Sequence, residues 1–165
     1  MTGRAVELRP VEPGDDELLC RIYRSTREPE LSELDWDDPQ KDAFVRMQFD
    51  AQRRHYEEHF EGASFDVVLV DGTPAGRLYV ARGPEELRIV DIALLPEYRN
   101  TGIGTVLLRR LLAEAAAAGK SVTIHVERFN PARRLYERLG FAPVADRGVH
   151  VLMTWPPPAD RSTPS

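Results

Sequence analysis

The residues best suited to chemistry fall in one short run, Leu94-Leu95-Pro96-Glu97-Tyr98-Arg99-Asn100-Thr101-Gly102-Ile103-Gly104-Thr105. Its two glycines let a backbone come close to a ligand, and a helix opening there presents unpaired N–H groups with a partial positive charge. Such a loop suits phosphate. Arg99 adds a permanent cation with forked donors at its edge. A P-loop is excluded because the run contains no Gly-Lys-Ser/Thr. A dinucleotide fingerprint would need a third glycine where Leu107 stands, directly after a strand, although Glu127 lies roughly where a ribose-binding acid would. Titratable residues that could move protons are Asp91 inside an apolar run, Glu86 just before it, His125 on a polar strand face, and Tyr136. His55-Tyr56-Glu57-Glu58-His59 matches H-x-x-E-H, the inverted zinc-peptidase pattern, through His55, Glu58 and His59. That motif needs a third ligand from a larger domain; a solvated polar helix face explains the same residues, and no metal is expected.

The elements that must carry these residues follow from apolar period and turn chemistry. Ala5 to Arg9 reads as a strand, and Asp15 as the cap of a helix with Leu18, Leu19, Ile22 and Tyr23 on one face. The acidic, proline-bearing stretch 27–40 reads as a loop. A second helix, Gln40 to Phe60, carries Phe44, Met47 and Ala51 on one stripe and Val45, Phe49, Tyr56 and Phe60 on another, wide enough to line a pocket. Phe65 to Val70, the Asp71-Gly72 turn and Gly76 to Arg82 form a hairpin. Leu87 to Leu95 is nearly continuously apolar, as in a central strand buried on both faces. Gly104 to Ala118 has the period of a helix, stopped by Gly119, and Ser121 to Val126 alternates like a strand. Asn130-Pro131 caps a short helix ending at Gly140; Phe141 to Val144 and Val149 to Trp155 complete the strands. These elements make a mixed α/β fold.

The two blocks around the glycine loop and the short helix resemble the GNAT superfamily of acyl-CoA-dependent N-acetyltransferases. The [Q/R]-x-x-G-x-[G/A] signature stands as Arg99-Asn100-Thr101-Gly102-Ile103-Gly104. The second block, an asparagine leading into a helix that ends L-Y-x-x-x-G-F, stands as Asn130 followed by Leu135-Tyr136-Glu137-Arg138-Leu139-Gly140-Phe141. Asn130 lies six positions before Tyr136, where the commoner spacing is seven and Phe129 would stand. The match is close from Leu87 to Val144. The resemblance implies a mostly antiparallel central sheet with flanking helices and splayed central strands, and acetyl-CoA as co-substrate. It implies that the backbone of Ile92, Ala93 and Leu94 pairs with the pantetheine arm. It gives the pyrophosphate to the backbone of Asn100 to Thr105 (Asn100, Thr101, Gly102, Ile103, Gly104, Thr105) with Arg99, and a further cofactor contact to Asn130. A backbone donor at Leu94 would polarise the thioester carbonyl, and Tyr136 would protonate the departing thiolate. Tyr136 also fits a core position on one apolar helix face with Ala132, Leu135 and Leu139, and both roles can hold. An amine of pKa near 10.4 costs roughly 4 to 5 kcal/mol to deprotonate at pH 7, so a base is expected among Asp91, His125 and Glu86.

Composition sets the frame for these readings. The chain has 165 residues, 42% hydrophobic and 30% charged, which is globular and consistent with a single domain, residues 1–155, before a proline-rich tail, 156–165, expected to be disordered. One cysteine, Cys20, rules out an internal disulfide, and no run is apolar enough for a membrane span, so a cytoplasmic location is expected. The net charge of −5 argues against a nucleic-acid partner. Eleven acidic residues against four basic ones between 12 and 42, and eight basic against four acidic between 97 and 140, point to a cationic amine acceptor opposite a polyanionic cofactor. The acceptor would be a small molecule or a peptide amine, and the sequence leaves a homodimer open. A non-catalytic acyl-CoA-binding sensor is the alternative from another function class.

Overall fold

In the computed structural model the chain is described from residue 4 to residue 156, and the tail expected to be disordered lies, beyond Pro156, outside the described residues. Strand β1 (Val6–Pro10) pairs antiparallel with β2 (Ser64–Val70), Val6 opposite Val70 and Pro10 opposite Asp66. Proline is tolerated there because β1 is an edge strand. Asp71 and Gly72, both at positive φ (51° and 81°), make the tight turn into β3 (Thr73–Arg82), the backbone twist a two-residue hairpin loop needs. Then follow β4 (Glu86–Leu94), helix α3 (Ile103–Ala118), β5 (Ser121–Glu127), helix α4 (Arg133–Arg138), β6 (Ala142–Arg147) and β7 (His150–Trp155). The seven strands form one open, mostly antiparallel sheet in the order β1-β2-β3-β4-β5-β7-β6. The exception is the parallel ladder of β4 and β5, which joins Glu86–Ile89 to Ser121–Ile124 while β4 runs on to Leu94 and β5 to Glu127.

By contacts, the described residues form two units: one up to Tyr79 together with Asp91–Ile103, the other Val80–Val90 with Gly104 onward. The first has a core of Leu19, Ile22, Tyr23, Leu31, Val45, Phe49, Val67, Ala93 and Leu95. In the second, Leu107, Leu108, Leu111 and Ala115 of α3 are buried, as are Val122, Ile124 and Val126 of β5 and Val151 and Met153 of β7.

Several expectations need correcting. Helix α1 (Asp16–Ser32) runs through Pro29, so the loop expected over 27–40 shrinks to 33–37. An interior proline forfeits one helical hydrogen bond, and the burial of Leu31 in the first core offsets that loss. Helix α2 (Asp38–His59) opens before Gln40 because Asp37 and Gln40 cap each other: Gln40 N–H donates to Asp37 Oδ1 (2.8 Å) and Asp37 N–H to Gln40 Oε1 (3.0 Å). Its buried stripe is narrow, Val45 and Phe49, whereas Met47 is 59% exposed. Asp15 does not cap α1; its carboxylate turns back to the Glu12 N–H (2.7 Å) and to both Nη atoms of Arg9 (2.8 and 2.9 Å). Strand β4 is buried on one face, through Leu87, Ile89 and Ala93, while Val90, Ile92 and Leu94 are half-buried. A continuous apolar run does not say how far its second face is covered. Asn130 accepts from the Ala132 N–H through its side chain (2.9 Å) and from the Arg133 N–H through its carbonyl (3.1 Å), so the expected helix starts one turn late. Strand β6 begins at Ala142 and extends to Arg147, past Val144.

Candidate active site

The glycine loop is built by local hydrogen bonds. After β4, Pro96–Tyr98 form a short 3-10 turn in which the Tyr98 N–H donates to Leu95 O (2.9 Å) and the Arg99 N–H to Pro96 O (3.2 Å). The Thr101 hydroxyl donates back to Tyr98 O (2.6 Å). Asn100 (φ 57°) and Gly102 (φ 88°) then swing the chain into α3, with Ile103 buried as its first anchor. A Cβ at Gly102 would meet nothing within 4 Å, and one at Gly104 only Leu135 Cδ2 at 3.6 Å. Glycine at 102 therefore answers a backbone angle, not crowding. Both positions leave space in front of helix N–H groups that have no intrahelical acceptor, a surround that fits phosphate oxygens. Arg99, expected as a cation at the edge of the loop, is exposed there, with two of its guanidinium nitrogens bonded to protein. Its Nε donates to Leu94 O (3.0 Å), and its Nη2 to the carbonyl and hydroxyl of Ser25, each at 3.2 Å.

Asp91, a candidate base, stands on the buried face of β4 and is taken up by an ion pair. Its Oδ2 accepts from Arg77 Nη2 (2.7 Å) and from the Tyr56 hydroxyl (2.9 Å); the same Nη2 donates to Gln52 Oε1 (2.8 Å). Arg77 is only 2% exposed, and its guanidinium lies 5.2 Å from the Tyr79 ring centre and 5.8 Å from that of Tyr23. Burial, then the Asp91 charge, raise the Tyr56 phenol well above its ordinary pKa. Tyr56 and Arg77, with Phe49, Gln52, Phe65 and Tyr79, line a cavity of about 180 Å³, so the face of α2 does line a pocket. Neighbouring on α2, His55 and His59 stack at 4.2 Å, and His59 Nδ1 lies 3.0 Å from His55 O. Among the described residues no three His, Cys, Asp or Glu side chains converge as a metal site.

In the second unit Tyr136 is 4% exposed, with its ring 5.7 Å from Phe141, so its core reading is realised. His125 faces solvent opposite Leu152 of β7. Partial burial, followed by the charges of Arg88, Arg147 and His150, lowers its pKa, which keeps the imidazole neutral near pH 7. Glu86 is half-buried at the start of β4, and Asn130 caps its turn.

The acidic stretch is largely committed to local pairs. Asp15 holds Arg9, Asp16 holds Arg53, Glu17 holds Arg46, and Arg24 sits between Glu28 and Asp42. The turn between α1 and α2 is exposed too, with Glu33, Asp35 and Asp38 flanking Trp36 in sequence, the indole itself 40% exposed and edge-on to Phe44 at 5.3 Å.

Sequence reasoning missed Arg77, Gln52, Ser25 and Pro29, and the bond from Tyr56 to Asp91. Arg77 was findable, since a lone cation in an apolar strand asks for a partner such as Asp91. Ser25 carried no signal.

Comparison with known proteins agrees with this architecture. A [Ribosomal protein bS18]-alanine N-acetyltransferase of Haemophilus influenzae is 36% identical over 58 residues, 34% of this chain and 40% of that protein. The cysteine-rich protein 2-binding proteins of mouse and human are each 44% identical over 46 residues, 28% of this chain and 6% of theirs. The chain thus spans well under two thirds of these curated relatives. Among solved structures, the paia N-acetyltransferase of Thermoplasma acidophilum, in complex with coenzyme A, superposes with a TM-score of 0.68 at 18% identity, covering 91% of this chain and 98% of that one. An acetyltransferase of Thermus thermophilus gives 0.65 at 20%, covering 90% and 95%. These likenesses establish the fold. The acetyltransferase (GNAT) family model matches residues 26–141, from the middle of α1 through the glycine loop to Phe141, and the chain belongs to that family.

Proposed function

We propose that this protein transfers an acetyl group from acetyl-CoA to a primary amine by direct attack within a ternary complex. The observation that carries this reading is the loop from Asn100 to Thr105: left-handed backbone at Asn100 and Gly102 leads into the N–H groups at the start of α3, and neither Gly102 nor Gly104 puts a side chain there. Those N–H groups would hold the pyrophosphate, with Asn130 as a further contact. The backbone of Ile92, Ala93 and Leu94 would align the pantetheine arm, and the Leu94 N–H would polarise the thioester carbonyl. The Tyr136 phenol would hand its proton to the departing thiolate. The incoming amine must first lose a proton. His125 supports that role best among the sequence candidates, because its surroundings favour the neutral ring, while Asp91 already balances Arg77.

The acceptor in this reading is a cationic amine, a small molecule or an exposed peptide amine. Its support is the solvent-facing turn 33–38, where exposed carboxylates flank an exposed indole in sequence, and such groups draw ammonium ions by charge and by cation–π contact. The test is kcat/KM for a cationic and a neutral amine at saturating acetyl-CoA, from 0.1 to 1 M salt, over which the Debye length falls from about 10 Å to about 3 Å. The cationic amine should be preferred and should lose that preference as salt rises. Preference for the neutral amine, or a salt response common to both, refutes the cationic acceptor. Acetyl-CoA binding without transfer to any amine would favour the sensor reading.

A further inference from the structure

We infer that Arg99 is a positioning residue that fixes the end of β4, not a ligand of the cofactor phosphates, and that Pro29 is what makes this possible. The inference rests on the acetyltransferase reading above, since it gives the Leu94 N–H its task. In a helix the carbonyl of residue 25 would accept from the N–H of residue 29; proline has none, so the Ser25 carbonyl of α1 is left without its helical donor. Arg99 Nη2 takes that place at 3.2 Å. The Ser25 hydroxyl completes the seat by donating to Ile22 O (2.7 Å) and accepting from the same Nη2 (3.2 Å).

The other end of the guanidinium explains why the seat matters. The Leu95 N–H donates to Ala75 O of β3 (2.8 Å), and in a trans peptide the Leu94 carbonyl points the opposite way, where Arg99 Nε takes it at 3.0 Å. The Leu94–Leu95 peptide is therefore held from both sides. A strand residue directs its own N–H and C=O to the same side, so the Leu94 N–H shares the heading that Arg99 sets. The cation also occupies the carbonyl oxygen nearest to that N–H, an oxygen that would otherwise face the thioester oxygen as a like dipole. Arg99 thus anchors the backbone donor of β4 to α1 through a carbonyl that Pro29 releases.

The experiment compares wild type with Arg99→Ala, Arg99→Lys and Pro29→Ala. Three quantities are read: hydrogen exchange of the Leu95 amide in the unliganded protein, Kd for CoA, and kcat with acetyl-CoA and with S-acetylpantetheine, which lacks the pyrophosphate. Positioning predicts that both Arg99 variants exchange Leu95 faster and lose about tenfold or more in kcat with both donors alike, with CoA Kd nearly unchanged. Pro29→Ala restores the helical donor to Ser25 and competes with Arg99. It should raise Tm yet slow transfer, a pairing a merely structural role does not produce. A large loss of CoA affinity in Arg99→Ala that Arg99→Lys rescues, with S-acetylpantetheine turnover untouched, would make Arg99 a phosphate ligand and overturn the inference. So would a stable, fully active Pro29→Ala. If Arg99→Ala does not fold, Arg99→Lys and Pro29→Ala decide. Wild type with no transfer refutes the acetyltransferase reading instead, and the exchange rates then judge the clamp alone.

Discussion

Replacing each glycine of the loop by alanine separates backbone strain from ligand contact. At Gly102 the φ of 88° is one that L-residues occupy at a cost of about 1–2 kcal/mol, while the added Cβ touches nothing within 4 Å. Gly102→Ala should therefore fold normally, with its loop relaxing toward another conformation. Since 1.4 kcal/mol is a factor of ten, acetyl-CoA affinity should fall roughly 5- to 30-fold. Gly104 has an ordinary φ, and its Cβ would make only a van der Waals contact with Leu135 at 3.6 Å. Alanine there improves helix propensity by up to about 1 kcal/mol, so Tm should hold or rise; any loss of affinity then comes from the methyl meeting the ligand. Calorimetric titration with acetyl-CoA and thermal melts of the three proteins suffice. Wild-type affinity in a folded Gly102→Ala protein would refute the cradle, and a lower Tm in Gly104→Ala would refute the packing argument.

Three further outcomes follow from the side chains. Asp91→Asn leaves the Arg77 cation buried without its counter-charge and should cost about 3–5 kcal/mol in a denaturant melt; a stable variant that loses only kcat would restore Asp91 as the base. Tyr136→Phe keeps the buried ring and removes the proton, so kcat should fall with little change in acetyl-CoA KM; full activity would leave Tyr136 as core alone. The Arg9 guanidinium and the Glu12 N–H hold the Asp15 carboxyl at a pKa of about 2, below its ordinary 3.8. The stability this brings is whole above pH 3.8 and vanishes as pH falls through 2; with Arg9 partly solvated it amounts to about 1–2 kcal/mol. Asp15→Asn should lose that much at pH 7 and only a small part of it at pH 2, and an equal loss at both would place the effect in packing.

What the sequence made legible was local. The Gly102 turn, the turn at Asn130, the hairpin at Asp71-Gly72 and the periods of α3 and β5 each depend on neighbours within a few positions. The misses depend on distance along the chain. Pro29 reads as a helix breaker unless Leu31 is known to reach the core. Nothing near Arg99 announces its bond to Ser25, 74 positions earlier. Nothing near Asp91 announces that Arg77 and Tyr56 arrive from β3 and α2 to bond its carboxylate. Each of these needs the tertiary neighbour before its role can be assigned, and the candidate site is made mostly of such residues.

Gly76 shows how unevenly this fold tolerates change. A Cβ there would fall 2.2 Å from the Ala93 carbonyl oxygen and 2.9 Å from Leu94 Cδ2, in the part of β4 on which the reading of catalysis depends. The nearer of the two obstacles is backbone, which no rotamer change can move aside. In a saturation library selected for activity, position 76 should return a single letter, whereas Gly14, whose surroundings are open and whose φ is not left-handed, should drift. A homologue search that weighted all glycines equally would overlook it, because Gly76 lies outside the motif by which the family is recognised.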